Sequence, residues 1–188
     1  MDPFNNDDIK VAPHIKNKHT DDLIDHYWGS ISYVASLIKA SELKAGLILS
    51  FFGILLNFIY QNIDVIFAHF SNTIVIDILL GLWFLSTVGS IYFCIKCFIP
   101  RIEGRYDKNI FFFRDVISKF GDIKNFSRTF YTISLDEDQL FDHLGQQIFI
   151  NSKIAAVKFR NVNMALRLLA VGLFILLLTV IYYIITAF

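Results

Sequence analysis

The sequence has few cysteines, prolines and charged residues for its length. Its 188 residues include two Cys and three Pro, and only 18% of them are charged, against about 25% in an ordinary soluble domain. Two cysteines exclude a framework of several disulfides. Basic and acidic residues number 17 each, so no excess of positive charge indicates a nucleic acid polymer as a partner.

Motifs that carry catalysis or metal binding are also absent from the sequence. It contains no P-loop, no GxGxxG and no GxSxG, and its five His show no metal-ligand spacing. Cys94 and Cys97 have C-x-x-C spacing without a second pair, so two buried thiols are favoured over a zinc site. We therefore expect no enzyme activity, no metal and no cofactor.

Apolar residues are abundant instead. They make up 55% of the chain, which includes 20 Phe, against about 45–50% in soluble domains. The 21 residues from Leu168 to Phe188 carry no charge, and a helix of that length crosses a hydrocarbon core of about 30 Å. The helical pattern runs in from about Gln139 without a proline, so one long helix, half in the cytosol and half in lipid, is predicted.

Two further apolar segments predict an all-α membrane protein with three transmembrane helices. The first and third are expected to extend into the cytoplasm as a helical stalk, joined by a compact connector. The first 25 residues are polar and acid-rich, so no cleavable signal peptide is expected. The predicted organisation is a mobile tail 1–20, a cytoplasmic helix 21–44, a first span 45–63, an external loop 64–77, a second span 78–95, a cytoplasmic connector 96–134, a cytoplasmic helix 135–167 and a third span 168–188.

The distribution of Lys and Arg predicts the orientation. Five of these residues precede the first span, none lies between the first and second spans, and twelve lie between the second and third. The N-terminus and the 96–167 segment are therefore predicted to face the cytoplasm, with the C-terminus outside.

Local signals predict where the helices outside the membrane begin. Thr20 before two acids is a candidate start for the first helix. Ser134 and Glu137 have the spacing of a capping box, which would start the last helix. Gly121 and Asp122 can start a short helix through about Tyr131, and the run Phe111–Phe113 must be covered by something.

Small and polar residues form a line on each long helix. Steps of seven on the last helix give Leu144, Asn151, Lys158, Ala165, Gly172, Thr179 and Thr186. Steps of three or four on the first helix give Trp28, Ser32, Ala35, Lys39, Glu42, Gly46, Ser50, Gly53 and Asn57. These lines are either helix-packing seams or the lining of a conduit in an oligomer.

Candidate ligand groups lie just below the membrane. Lys158 is about 15 Å from the third span and, with Asn151 and Gln147, could bind an anion such as a phosphate. Lys39 and Glu42 lie at the mouth of the first span. The alternative for Lys158 is a solvated face or an ion pair with Glu42.

Three stretches of the sequence carry a resemblance to a known family. They are Ser41–Gly46 with Gly53–Leu56, Asn109–Val116, and Gln147–Ala155 with Lys158–Phe159 and Ala165–Arg167. Together they resemble the transmembrane effector family of Pycsar antiphage systems. The resemblance covers about residues 23–185. Glu42 stands where the family has Asp, and Arg114 stands where Gly is expected after the Phe run.

The resemblance implies a dormant membrane protein that senses the product of a pyrimidine cyclase, cyclic UMP or cyclic CMP. It then impairs the inner membrane, which gives abortive infection. On this reading the nucleotide binds near Asn151, Lys158, Lys39 and the connector ring Phe112, and the protein acts as a homo-oligomer in the lipid bilayer. The alternative is a constitutive three-span scaffold that anchors a cytoplasmic partner, and a membrane enzyme would need a catalytic cluster that the sequence does not contain.

Overall fold

A computed structural model describes residues 18–64, 74–99 and 108–187, and every structural statement below concerns these residues. They form five helices, which are α1 (Lys18–Gln61), α2 (Ile74–Phe98), α3 (Phe113–Ser118), α4 (Ile123–Leu135) and α5 (Glu137–Ala187). Most of the predicted tail, most of the predicted external loop and part of the predicted connector lie outside the described residues.

Helices α1, α2 and α5 are each long and apolar enough to cross a membrane. The predicted all-helical membrane protein with three such helices is therefore confirmed. Helix α5 has 51 residues, so it is about 77 Å long and greatly exceeds the thickness of a hydrocarbon core. We call residues 18–44 and 137–167 the polar halves of α1 and α5, and residues 45–61 and 168–187 their apolar halves.

Helices α1 and α5 run side by side in the same direction. Contacts between them progress together along both sequences, from Thr20 with Glu137 to Tyr27 with Phe141 and Glu42 with Lys158. The face of α1 that is buried repeats every seven residues at Val34, Ser41 and Ile48. Such a repeat keeps one stripe of a helix against its neighbour, as in a coiled coil.

Helix α2 packs antiparallel against α5 through small and hydroxyl side chains. Ser86 donates a hydrogen bond to the Leu168 carbonyl at 2.7 Å, and Ser90 donates to the Ala165 carbonyl at 2.8 Å. A side chain at Gly172 would begin only 3.4 Å from the Ser86 hydroxyl oxygen. Small residues allow this close approach, and the hydroxyls add hydrogen bonds across it.

The apolar core forms where the three long helices meet. It consists of buried side chains from all of them, namely Ala45, Ile48, Phe52, Cys94, Cys97, Val162 and Ala165. Most of the remaining apolar side chains of the apolar halves point outward, as expected for helices that face lipid.

Helices α3 and α4 form a small connector that packs on the polar half of α5. Its own core contains Ile110, Phe120 and Ile133. Asn109 is fully buried, and its amide nitrogen donates to the His143 carbonyl at 2.7 Å, which attaches the connector to α5. Gly121 adopts a φ of 75°, which favours glycine, at the turn between α3 and α4.

The helix starts differ in part from the predictions. The predicted start at Gly121 and Asp122 is confirmed, because the Asp122 side chain accepts from the Asn125 amide at 2.8 Å, although α4 continues to Leu135. The predicted capping box is wrong. Ser134 donates to the Phe130 carbonyl inside α4, and Asp136 instead accepts from the Gln139 amide at the start of α5.

The Ser134 prediction fails because α4 lies directly before α5, and a helical serine hydroxyl bonds to the carbonyl four residues earlier. Thr20 is also not the first helical residue, since α1 already includes Lys18. Helix α2 begins at Ile74, before the predicted span. The Phe run is only partly covered, because Phe112 is buried whereas Phe113 is 79% exposed.

Candidate functional site

The polar halves meet α2 at a junction formed by Glu42, Cys97, Lys158 and Asn161, which we call the three-helix junction. Lys158 is 5% exposed and lies on α5. Its ammonium group donates to a Glu42 carboxylate oxygen at 2.8 Å and to the Cys97 carbonyl at 2.7 Å. One side chain of α5 therefore binds both α1 and α2.

The end of α2 explains why a cation lies there. The last four carbonyls of a helix have no partner within it, and this end carries a partial negative charge. Lys158 bonds to one of these carbonyls, and the Asn161 amide nitrogen donates to the Lys96 carbonyl at 3.3 Å. Two residues of α5, one turn apart, thus cap the end of α2.

Cys97 lies inside the same junction. Its side chain has no solvent exposure, and its sulfur lies 3.8 Å from the Ser41 carbonyl oxygen and 3.7 Å from that of Lys158. Cys94 and Cys97 are both free and buried, which confirms the prediction of two buried thiols. In the part of the chain that the structure describes, no three His, Cys, Asp or Glu side chains come together as metal ligands would.

The Glu42–Lys158 pair is asymmetric in its contact with solvent. The Lys158 side chain is 6% exposed, whereas that of Glu42 is 39% exposed. Of the two alternatives that the sequence left for Lys158, this structure contains the ion pair. Solvent reaches the pair from the Glu42 side, so an anion would approach Lys158 from there.

Gln147 and Asn151 form a second polar pair, nearer the start of α5 than Lys158 is. The Gln147 amide nitrogen donates to the Asn151 side-chain oxygen at 3.2 Å. The Gln147 amide oxygen is buried and, like Nδ1 of His143, lacks a hydrogen-bond partner in the structure. Asn151 precedes Lys158 by seven residues, or about 10 Å along the helix, so these candidates do not converge on one point.

The other two candidate ligand residues lie apart from the junction. Lys39 is exposed on α1. Phe112 is buried in the connector, where its backbone carbonyl accepts from the Asp115 amide at 2.9 Å. The connector is attached at His143, about 22 Å along α5 from Lys158.

The line of small and polar residues on α5 lies inside the chain's own interfaces. Ala165, Gly172 and Thr179 are buried, and Gly172 faces Ser86 of α2. The corresponding line on α1 does not behave in this way. Gly46 lies near Phe98, but Ser50, Gly53 and Asn57 are exposed on the outer face of the helix.

Several residues of these interfaces escaped the sequence analysis. Ser86 and Ser90 lie four residues apart on α2. This spacing could have predicted the interface with α5, because hydroxyls one turn apart in an apolar helix indicate a packed face. The role of Asn161 had no signal, since it bonds to a backbone carbonyl of another helix. Asn109 and Asp115, which bond to each other in the connector, were also missed.

Comparison with known proteins assigns the family. The profile of the Pycsar effector protein domain matches residues 26–185. The chain belongs to the Pycsar effector family. The Pycsar effector protein MePycTM of Micromonospora echinofusca is 40% identical over 45 residues, which cover 24% of this chain and 76% of that protein. No solved structure matches the chain.

The Pycsar effector family assignment confirms the resemblance found in the sequence. Together with the three long apolar helices, it makes this protein an antiphage effector of the membrane. The matched range contains the three-helix junction, helix α2 and most of α1 and α5.

Proposed function

We propose that this effector senses a cyclic pyrimidine nucleotide, cyclic UMP or cyclic CMP, and then impairs the integrity of the inner membrane, which gives abortive infection. The observation that carries the proposal is Lys158, a buried cation that bonds to α1 and α2 from α5. A ligand that acts on this side chain acts on all three long helices at once.

The polar halves and the connector lie in the cytoplasm in this proposal, and Phe188 lies outside. The support is the distribution of Lys and Arg, with twelve of 17 between the second and third spans and none between the first and second. A nucleotide made inside the cell then meets the side of the protein that carries the cations.

The continuity of the helices supports transmission of a signal to the lipid. Helix α1 runs without interruption from Lys18 to Gln61, and α5 from Glu137 to Ala187. A tilt or rotation of a polar half therefore moves the apolar half of the same helix. The protein acts in this way as a ligand-gated membrane effector without catalysis of its own.

The nucleotide phosphate pairs with Lys158 and Lys39 in this proposal, because phosphate is well matched to charge-assisted hydrogen bonds. Gln147 and Asn151 contact polar atoms of the base or ribose, and the unpaired Gln147 oxygen supports this role. The Phe112 ring offers a stacking surface. The connector is attached about 22 Å along α5 from Lys158, and this spacing is fixed because the helix is continuous. Stacking on Phe112 therefore requires the connector to leave its contact at His143 and move toward the junction.

Oligomerisation is part of the proposal. Ser50, Gly53 and Asn57 face outward from the apolar half of α1, and Gly53 has no atom within 4 Å of where a side chain would begin. Small and polar residues on a lipid-facing surface favour contact with another membrane helix. A second copy of this chain is the partner that we propose.

Leakage from liposomes tests the function directly. Purified protein is inserted into liposomes, and dye and ion release is measured without ligand and with cyclic UMP, cyclic CMP or cyclic AMP. Release triggered by one pyrimidine nucleotide alone is the expected result, and it also identifies the base. No release with any of them, in liposomes where insertion and orientation have been verified, contradicts the proposal.

The second candidate is a scaffold that anchors a cytoplasmic partner. It is favoured by the apolar side chains that the connector leaves exposed, namely Phe113, Ile117, Ile123 and Tyr131. Such surfaces commonly contact another protein. A protein that inserts correctly, never leaks and retains a soluble partner through the connector would be a scaffold.

A further inference from the structure

The ion pair of the three-helix junction is placed to control how α1, α2 and α5 sit against one another. Glu42 and Lys158 are 116 residues apart in sequence and lie on different helices, yet their charged atoms are 2.8 Å apart. The same ammonium group bonds to the Cys97 carbonyl at the end of α2. Separating Lys158 from Glu42 therefore also disturbs the end of α2.

The cation in this pair depends on its partner more than the anion does. Lys158 is almost completely buried, whereas more than a third of the Glu42 side chain contacts solvent. Removing one partner from a buried pair leaves an uncompensated buried charge, which is strongly unfavourable. Without Glu42, the ammonium group needs either another anion or a movement that lets water reach it.

We propose that the Glu42–Lys158 pair is an autoinhibitory latch, which holds the three long helices in the resting arrangement until an anionic ligand displaces Glu42 from Lys158. The inference rests on the proposed function for the nature of the ligand and for the membrane effect. The latch itself is a property of the junction and has a separate readout.

Opening the latch has two consequences in the junction. Helix α1 loses the charged contact to α5 at the boundary between its polar and apolar halves. The Lys158 ammonium group shifts, which weakens its hydrogen bond to the Cys97 carbonyl at the end of α2. The hydrogen bonds of Ser86 and Ser90 to α5 remain. The element released is therefore α1, and α2 stays paired with α5.

Cys97 reports on the latch from inside the junction. Its thiol has no solvent exposure because it lies against the Ser41 and Lys158 carbonyls, one from each of the separating helices. Movement of α1 away from α5 uncovers this thiol. Alkylation by N-ethylmaleimide, followed at Cys97 and Cys94 separately by peptide mass spectrometry, measures the opening without any introduced label.

The experiment uses the full chain in liposomes and compares wild type with Glu42→Gln. Asp25→Asn is the matched control, because it removes an exposed carboxylate from the same helix. Labelling of Cys97 is expected to be about tenfold faster in Glu42→Gln, because the glutamine oxygen can still accept from Lys158 but carries no charge to compensate the buried ammonium group. In wild type, cyclic UMP or cyclic CMP is expected to accelerate labelling, with little further effect in Glu42→Gln.

The outcomes separate the latch from the proposed function. Faster labelling in Glu42→Gln together with leakage without ligand supports both. A second outcome is that the variant is labelled faster and nucleotide accelerates labelling of the wild type, but no sample leaks. This outcome supports the latch and contradicts membrane impairment. Leakage of wild type with nucleotide, with Cys97 labelled at the same rate in every sample, overturns the latch and leaves the proposed function standing. The wild-type measurement keeps this test decisive if Glu42→Gln does not fold.

Discussion

The α2–α5 interface and the α1–α5 interface are built from different interactions. The first is held by serine hydroxyls that donate to backbone carbonyls and by glycine at close approach. The second contains an ion pair, a pair of tilted aromatic rings and a long hydrogen bond at its end. A hydroxyl bonded to a helix backbone has no competitor in lipid, whereas an ion pair near water can exchange partners. The comparison predicts that α2 and α5 stay paired and that α1 separates from α5 more easily.

The largest expected effect is at the residue that joins both interfaces. Lys158→Ala removes the phosphate contact and the latch together, so adding nucleotide should no longer change leakage, although the protein should still insert into the membrane. Liposome leakage with and without cyclic UMP or cyclic CMP measures this. Lys124→Ala, an exposed lysine of α4, is the control and should respond as wild type does. A full response in Lys158→Ala would remove this residue from the mechanism.

The α2–α5 interface should not accommodate a large side chain at Gly172. Gly172→Leu places a large side chain against Ser86 and Trp83, and overpacking of this kind costs about 3 kcal/mol. Gly81→Leu is the matched control in the same membrane environment, because no atom lies within 4 Å of where its side chain would begin. Unfolding titrations in mixed micelles give both values. Equal stabilities would show that the close approach at Gly172 does not matter.

A smaller effect is expected from a single hydroxyl of the same interface. Ser90→Ala removes the hydrogen bond to the Ala165 carbonyl, which should cost about 1 kcal/mol, the usual value for one interhelical hydrogen bond in a membrane. Ser50→Ala, on the outer face of α1, should leave the stability of the single chain unchanged. The same titration measures both variants, and a larger loss from Ser50→Ala would reverse the assignment of the two faces.

The smallest effect belongs to the far end of the α1–α5 interface. The Thr20 hydroxyl donates to Glu137 at 3.4 Å in an exposed position, so Thr20→Val should cost no more than about 0.5 kcal/mol. Hydrogen exchange of the first turns of α1 measures the change locally. Global destabilisation by Thr20→Val would mean that α1 is held as firmly at this end as α2 is along α5, which would break the comparison.

Some features of the site could be read from single residues and others could not. The buried Cys94 and Cys97 thiols were predictable, because C-x-x-C at the end of an apolar helix had no other ligands nearby. The capping role of Ser134 was predicted wrongly, because local spacing does not reveal whether the preceding residues are already helical. The seam on α1 was placed one or two residues away from the buried positions Val34, Ser41, Ile48 and Phe52. Each residue corresponds to about 100° of rotation, so Ser50, Gly53 and Asn57 face outward.

The sequence by itself determined that this is a membrane protein with three long apolar helices, two of which are much longer than a hydrocarbon core is thick. That information is local, since about 20 consecutive apolar residues suffice to indicate a span. Only the tertiary structure decided what Lys158 does. Its two partners, Glu42 and the Cys97 carbonyl, come from two other helices, and one of them is a backbone atom that no residue type reveals. A buried charge is defined by its partners, and these are set by how three helices pack together.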